Sequence, residues 1–310
     1  MIRIPYYPGC TLKNKASNFE TSALAAARAL GLELVELPRW NCCGAVFSLS
    51  SDDLMRHIAP TNIFLRVQEM NRDHLVEDEY RLVTFCAMCF NVLRRTNQRL
   101  RESLEDRNKI NDFSYLETET YQGRVEIVHL LELLRSMGWD KIQERVHKPL
   151  TGLKVAPYYG CMLLRPKDVG IDDPERPTIQ EELLRSLGAE PVDFPLKLRC
   201  CGSYQTVLNK DLVADLAYDI LSRAQKAGAE AITTSCPLCA FNLDFRQKEI
   251  QEKYPMFLPI PVFYFSQLMA IAFGLPQEVF GLAGHYANPK TLLATKGYLQ
   301  ATSPLEEGEG

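Results

Sequence analysis

The stretch LKVAPYYGC at residues 153–161 decides the fold, because a β-prone run there stops at a glycine directly before a cysteine. The same arrangement occurs near the start of the chain, where residues 3–10 read RIPYYPGC. Strand-forming residues extend the backbone, and glycine lets it turn sharply at the end. We therefore predict that Cys10 and Cys161 each lie at the carboxyl end of a strand.

The cysteines repeat as a pattern. There are ten, and they read C, then CCG, then CxxC, twice, with equivalent positions 150 to 158 residues apart. Such an offset is expected from duplication of a whole domain. We predict two similar domains, residues 1–149 and 150–310, with a boundary near Pro149. The two sets are Cys10, Cys42, Cys43, Cys86 and Cys89, and then Cys161, Cys200, Cys201, Cys236 and Cys239.

The segments between the cysteines also correspond. Each copy predicts a helix, a second strand before CCG, another helix, and a third strand that ends at CxxC. Capping boxes at Ser17 with Glu20 and at Thr178 with Glu181 are expected to start the first helices, and Gly31 and Gly188 to end them. The later predicted segments are strands 32–37, 192–194, 82–85 and 231–234, and helices 52–70 and 212–224.

This order predicts an α/β fold in which each domain has a small parallel sheet flanked by helices. Ligands would then gather at the carboxyl ends of the strands. Beyond each CxxC we expect helices at 87–104 and 238–253, and the apolar segments 125–137 and 260–275 would close the domains. We predict that the charged stretch 102–121 and the acidic tail 306–310 are loop or disordered.

The composition limits the function. A chain that is 46% hydrophobic and 24% charged is typical of globular proteins, and a net charge of −4 with dispersed basic residues indicates no nucleic-acid partner. The longest apolar run, around Leu268–Leu275, is far below the roughly 20 residues that span a bilayer, so no direct membrane insertion is expected. The sequence begins without a signal-peptide pattern, which predicts a cytoplasmic protein whose thiols are not structural disulfides.

Five thiols in each copy suit a metal site. A structural zinc ion and a cubane iron–sulfur cluster both take four ligands, so a fifth recurring cysteine favours something larger or rearranged. Three alternatives remain open at this point: buried thiols without a ligand, zinc sites, and a dithiol oxidoreductase that uses CxxC alone.

Together, C, CCG and CxxC in tandem resemble the duplicated cysteine-rich CCG domain of the heterodisulfide reductase B subunit, over nearly the whole chain. The resemblance implies two noncubane 4Fe–4S clusters, one held by each set of five cysteines. It further implies a catalytic role in which a small-molecule or carrier-bound disulfide is reduced to two thiols, or the reverse, between the facing clusters. The implied partners are a ferredoxin-like C subunit with cubane 4Fe–4S clusters and a flavoprotein A subunit.

Few other side chains suggest catalysis. The five histidines form no recognised motif, and His129 is expected to be a satisfied helix residue. Tyr7 and Tyr159 are candidates for hydrogen bonding at the site, and Arg165 and Lys167 for contact with an anionic group, although core or surface roles are more common for all four. The glycines next to the cysteines are expected to let backbone amides approach the clusters. They are Gly9, Gly44, Gly160 and Gly202.

Two rival functions remain. One is an iron–sulfur electron-transfer subunit of another oxidoreductase complex with no substrate of its own. The other is a structural zinc or scaffold protein. The sequence names neither the disulfide nor the direction of electron flow.

Overall fold

Two parallel sheets form the frame of the protein. The computed structural model describes residues 1–45, 53–78 and 80–299. Each sheet has four strands, in the order β2-β1-β3-β4 in the first half and β6-β5-β7-β8 in the second. All neighbouring strands pair in parallel. The predicted α/β class with two similar halves is confirmed.

The halves have matching element orders. The strands are β1 Ile2–Tyr6, β2 Leu32–Glu36, β3 Arg81–Thr84 and β4 Glu126–His129, and then β5 Lys154–Pro157, β6 Glu190–Pro191, β7 Ala231–Thr234 and β8 Val262–Tyr264. The helices of the first half are α1 Gly9–Leu12, α2 Ser17–Ala29, α3 Ile58–Arg72, α4 Ala87–Glu102, α5 Leu104–Phe113, α6 Leu130–Met137 and α7 Trp139–Gln143. Those of the second half are α8 Ile179–Ser186, α9 Lys210–Lys226, α10 Pro237–Ala240, α11 Gln247–Lys253, α12 Phe265–Ala272 and α13 Lys290–Thr295. The predicted boundary at residues 149 and 150 lies between α7 and β5.

The two halves pack closely against each other. Helix α2 lies on α12, where the Phe19 ring stacks on Tyr264 with centroids 4.2 Å apart. Below the rings, the buried hydroxyls of Ser22 and Ser266 hydrogen-bond at 2.7 Å. Aromatic stacking and burial of large rings stabilise such a joint, and the polar pair is satisfied inside it. The joint therefore fixes one half against the other.

The predicted capping boxes are wrong. Ser17 is the first residue of α2, and its side chain caps nothing. At α8 the carboxylate of Asp172 accepts the Thr178 and Ile179 amides, each at 2.8 Å, so the cap comes from outside the local motif. The left-handed glycines that were expected to end these helices are present, with φ of +80° at Gly31 and +83° at Gly188.

Three further expectations need correction. The stretch predicted as loop contains α5, which starts where the Ser103 side chain accepts the Asp106 amide. The strand expected at 192–194 is the two-residue β6, Glu190–Pro191. The apolar segments 125–137 and 260–275 each begin with a fourth strand, because a short buried strand and a buried helix read alike in sequence. The acidic tail 306–310 lies outside the described residues.

Candidate metal centres

The five thiols of the first half lie together at the carboxyl ends of β1 and β3. All ten cysteines of the chain are free. The sulfurs of Cys10 and Cys42 are 3.7 Å apart, and those of Cys43 and Cys89 are 3.5 Å apart. Further hydrogen bonds join Cys42 to Cys43 and Cys89 to Cys86. Cys10 is therefore next to the CCG pair, and the CCG pair is next to Cys89, the second cysteine of CxxC. Cys86, the first cysteine of CxxC, follows last.

The second half repeats this order. Cys161 bonds to Cys200, and Cys200 to Cys201. The sulfurs of Cys201 and Cys239 are 3.5 Å apart, and Cys239 bonds to Cys236. Internal duplication has therefore preserved the arrangement of the thiols as well as the spacing of the motif.

The two sets of thiols lie next to each other where the two halves pack together. The thiols of Cys86 and Cys236 lie close enough to shift each other's pKa, and the Ala87 amide donates to the Ser235 carbonyl at 3.2 Å. Both cysteines are the residue before a helix, α4 or α10. Interaction with Cys236 raises the pKa of Cys86 well above its usual value, whereas the pKa of Cys236 is lowered. The two sets of five thiols are therefore neighbours at the joint. The spacing of the cysteines alone did not predict this proximity.

Exposure divides each set of thiols in the same way. Cys10 and Cys42 are exposed, and Cys161 and Cys200 are half-buried. The other six are buried: Cys43, Cys86, Cys89, Cys201, Cys236 and Cys239. Each site therefore has three deep sulfurs and two that face outward.

Proton sharing between neighbouring thiols separates their pKa values. Hydrogen bonds from Cys42 and Cys89 hold the pKa of Cys43 well below its usual value, and bonds from Cys239 and Cys86 do the same for Cys236. The bond to Cys43 raises the pKa of Cys89. Because thiolate is the form that ligates metal, part of each set is prepared for binding.

A buried tyrosine accompanies each set. The Tyr7 hydroxyl donates to the Asn41 carbonyl at 3.0 Å, and the Tyr158 hydroxyl donates to the Arg199 carbonyl at 2.5 Å. Each accepting carbonyl directly precedes a CCG pair, so the tyrosine fixes that turn. Burial raises the pKa of both tyrosines, and four nearby cysteines add to the shift in each case. They are therefore neutral hydrogen-bond donors.

Sequence reasoning singled out Tyr7 but paired it with the wrong residue. The counterpart of Tyr7 is Tyr158, whereas the Tyr159 hydroxyl bonds to the Glu181 carboxylate. Alignment on the cysteines would have found Tyr158, since Tyr7 and Tyr158 both stand three residues before one. Glu181, expected in a capping box, instead binds Tyr159 and Lys197.

The glycine before the first cysteine is tightly enclosed in each half. A Cβ at Gly9 would lie 3.1 Å from the Cys89 sulfur, and one at Gly160 would lie 3.4 Å from the Cys239 sulfur. The four glycines singled out from the sequence all have positive φ, between +64° and +78°. Their predicted role at a cofactor stays a prediction.

The cysteine-rich CCG domain family matches residues 4–94 and 155–244, which contain all ten thiols. The chain belongs to the CCG family. Its tandem CCG domains resemble the heterodisulfide reductase B subunit, as the sequence predicted, and make the protein an oxidoreductase subunit with cysteine-rich domains.

Several relatives cover nearly the whole CCG protein. The 8-methylmenaquinol:fumarate reductase membrane anchor subunit of Wolinella succinogenes is 33% identical over 89% of this chain and 94% of its own. The B subunit of the ferredoxin:CoB-CoM heterodisulfide reductase of Methanosarcina mazei is 30% identical over 91% of this chain and 93% of its own. Both relatives are named as subunits.

A solved structure supports the fold alone. A hypothetical protein from Helicobacter pylori superimposes with a TM-score of 0.74 at 12% identity. The match covers 92% of this chain and 52% of the Helicobacter protein, so the CCG protein spans about half of that structure.

The residues present fit an iron–sulfur group. Thiolate is its usual ligand, and CCG domains of this family suggest such clusters. In addition, the hydroxyls of Thr84, Thr234 and Ser235, at the strand ends that lead into CxxC, are buried without a hydrogen-bond partner in the described structure. Buried hydroxyls need an acceptor, and a sulfide-containing group would supply one.

The described residues contain neither a site for a single metal ion nor a membrane-spanning helix. Among residues 1–45, 53–78 and 80–299, no group of three or more cysteine, histidine or acidic side chains is arranged to hold one metal ion. In the same part of the chain no helix combines the length and the apolar character needed to cross a bilayer.

The other residues suggested by the sequence are His129, whose hydrogen bonds are satisfied, and Arg165 and Lys167, which lie elsewhere. His129 ends β4 and caps α6 rather than lying within a helix: its Nδ1 accepts the Leu131 amide and its Nε2 bonds to the Phe85 carbonyl at 2.8 Å. It is satisfied, as expected, but in a different role. Arg165 and Lys167 are exposed.

Proposed function

We propose that this CCG protein is the catalytic B subunit of a heterodisulfide-reductase-type complex, with two noncubane 4Fe–4S clusters. The observation that carries the proposal is the repeated string of five thiols, whose two copies meet at Cys86 and Cys236. Two metal groups in contact across a joint suit a reaction that handles two sulfur atoms at once. The two halves, 1–149 and 150–310, would each hold one cluster.

The ligands would be the five cysteines of each half. The deep thiols would anchor each group through CxxC and the second cysteine of CCG. Cys10 and Cys42 in the first half, and Cys161 and Cys200 in the second, are the more exposed thiols. A substrate would therefore approach from that side. Gly9, Gly44, Gly160 and Gly202 would keep the ligand loops close to the clusters.

The chemistry needs little from other side chains. When bound, the clusters supply electrons and soft iron, which bonds readily to sulfur. Reduction of a disulfide takes two electrons and two protons and gives two thiols. Tyr7 and Tyr158 each donate their hydroxyl proton to a backbone carbonyl and are held neutral by burial, so they position the CCG turns. Protons for the product thiols would come from solvent at the exposed side.

Electrons would come from other subunits. The sequence has no GxGxxG fingerprint and no ferredoxin-type cysteine run. A ferredoxin-like C subunit with cubane 4Fe–4S clusters would deliver electrons, a flavoprotein A subunit would stand behind it, and the complex would be cytoplasmic. The substrate would be a small-molecule or carrier-bound disulfide, or the matching thiols.

A second candidate is an iron–sulfur electron-transfer subunit with no substrate of its own. The 33% identical relative in an 8-methylmenaquinol:fumarate reductase favours it. The two functions share the clusters and differ in whether a substrate sulfur binds to them.

Anaerobic purification followed by iron, sulfide and EPR analysis tests the proposal. We expect about four irons per set of five cysteines and a paramagnetic signal that changes when a thiol is added. Cys42→Ser and Cys200→Ser, one in each half, should each remove a different part of the signal. Clusters without any response to thiols and without disulfide turnover would favour the electron-transfer function, and zinc in place of iron would refute both.

A further inference from the structure

A cavity of about 370 Å³ lies next to the two sets of thiols and is bounded by both halves. The first half contributes Thr11 and Lys15, and the second contributes Leu238, Phe241 and Tyr264. Thr11 follows Cys10, and its hydroxyl is 3.8 Å from the Cys10 sulfur. Leu238 stands between the two cysteines of CxxC. The cavity is therefore lined by sequence neighbours of cysteines from both thiol sets, and by no cysteine itself.

The walls are mostly apolar and open onto an apolar rim. Phe241 and Phe245 line the cavity with their rings 5.5 Å apart and nearly parallel. Their side chains are 37% and 45% exposed, and at the rim Val207 is 80% exposed. The next residue, Leu208, is 85% exposed. Clustered exposed apolar side chains around a concavity mark a binding site, and this volume suits a bicyclic ring.

Two lysines give the mouth a positive charge. Lys15 of the first half and Lys210 of the second are both exposed and line the cavity. Neither has an ion-pair or hydrogen-bond partner among its side-chain contacts in the described part of the chain. These two cations are therefore available to a ligand.

The deeper charged groups are engaged within the protein, apart from the Arg246 Nε, which is buried without a hydrogen-bond partner in the described structure. The Asp244 carboxylate accepts the Tyr286 and Ala287 amides at 2.7 and 3.1 Å, and the Arg246 guanidinium binds Glu249 and Thr206. Inside the cavity Asp244 would repel a negative group of the ligand, and the Arg246 charge is already paired with Glu249, whereas the two lysines outside would attract such a group. The apolar part of the ligand would therefore enter the cavity and its charge would stay at the mouth.

We propose that this cavity binds an amphipathic anion: an aromatic or other apolar body that carries a carboxylate, sulfonate or phosphate. Its body lies between the paired phenylalanines and Tyr264, and its anionic group pairs with Lys15 and Lys210. The site is separate from the thiols, because no cysteine lines it. The proposal is independent of disulfide chemistry, since binding here involves no cysteine thiol of the protein.

Calorimetric titration of the anaerobically purified full-length chain tests the site. The probes are 2-naphthalenesulfonate and its uncharged counterpart 2-naphthol, which share one ring system. The charge variant is K15Q/K210Q, and its matched control is K141Q/K148Q, which removes two other exposed lysines. The wall variant is F241A/F245A. Unfolding midpoints show whether each variant keeps its fold.

The expected results distinguish charge from apolar contact. K15Q/K210Q should weaken 2-naphthalenesulfonate roughly 3- to 20-fold, the effect of two exposed ion pairs, and leave 2-naphthol within about 2-fold. F241A/F245A should weaken binding of both probes, and K141Q/K148Q should weaken neither. Absence of measurable binding to the unmodified chain, equal sulfonate affinity in K15Q/K210Q, or binding unaffected by F241A/F245A would each overturn the proposal.

Discussion

Substitution of Gly9 by alanine separates backbone strain from displacement of Cys89, a proposed cluster ligand. Gly9 has φ of +71°, and an added Cβ would lie 3.1 Å from the Cys89 sulfur. Gly31, in the same half, has φ of +80°, and its added Cβ would meet no atom within 4 Å. Alanine at either position carries the same left-handed strain, so Gly31→Ala is a matched control for Gly9→Ala.

The magnitudes follow from these distances. Left-handed strain costs about 1–2 kcal/mol for each alanine, which corresponds to a fall in Tm of roughly 2–8 °C in a domain-sized protein. At Gly9 the Cys89 sulfur must also move by roughly a few tenths of an ångström to restore normal contact. Metal–ligand distances tolerate only about 0.2 Å. Gly9→Ala should therefore lower iron binding in the first half, whereas Gly31→Ala should not.

The second half gives a graded comparison. An added Cβ at Gly160 would lie 3.4 Å from the Cys239 sulfur, an ordinary contact, and one at Gly228 would meet nothing within 4 Å. Iron and acid-labile sulfide per chain, measured beside Tm under anaerobic conditions, should therefore fall most in Gly9→Ala, by up to about half of the total. Gly160→Ala should lose less, and Gly31→Ala and Gly228→Ala should keep their iron. Equal iron in Gly9→Ala and Gly31→Ala would refute the reasoning.

Two further predictions concern the packing around the thiols. The Asn91 side-chain amide donates to the Met162 and Arg165 carbonyls at 2.8 and 2.6 Å. Asn91→Ala removes these bonds and should lower the free energy of unfolding, measured by denaturant melts, by about 1–3 kcal/mol. Gln98→Ala on the same helix is the control and should lower it far less. Burial lowers the pKa of His129 to about 4, below its unfolded value near 6.5, so its contribution to stability is present above pH 6.5 and is lost as pH falls towards 4. Between pH 7 and pH 5 this loss of unfolding free energy is about 2 kcal/mol. The His129→Gln protein should therefore lose less stability than the unmodified protein over that range. If the stability of the two proteins changes in parallel with pH, His129 does not contribute.

The order of strands and helices could be predicted because it depends on residues that are close together in the sequence. Left-handed glycines ended α2 and α8 where expected, and the β-prone runs before the cysteines are strands. The fourth strand of each sheet was missed because its buried residues merge with the helix that follows. The cap of α8 was missed for another reason: its acceptor, Asp172, is placed by tertiary structure rather than by the local motif.

The sequence predicted which cysteines belong to each candidate site, but not which sulfurs lie next to each other. Spacing alone grouped the thiols into two sets, because strand ends of a parallel sheet meet at one edge. It could not show that Cys86 lies next to Cys236, since that proximity depends on how two separately folded halves dock. Lys15 and Lys210 lack any motif, and only the three-dimensional structure brings them to one cavity.

The joint explains why the duplicated halves remain in one chain. A single half would leave the Phe19 or Tyr264 ring, fully covered in the pair, facing water, together with a CxxC thiol. Association buries these groups and places Cys86 next to Cys236, whose interaction raises the pKa of Cys86 and contributes to lowering that of Cys236. Stability and chemistry therefore depend on the same contact surface. If the proposed clusters bind there, a charge change on one must alter the electrostatic environment of the other, because two neighbouring buried sulfurs are poorly screened by solvent.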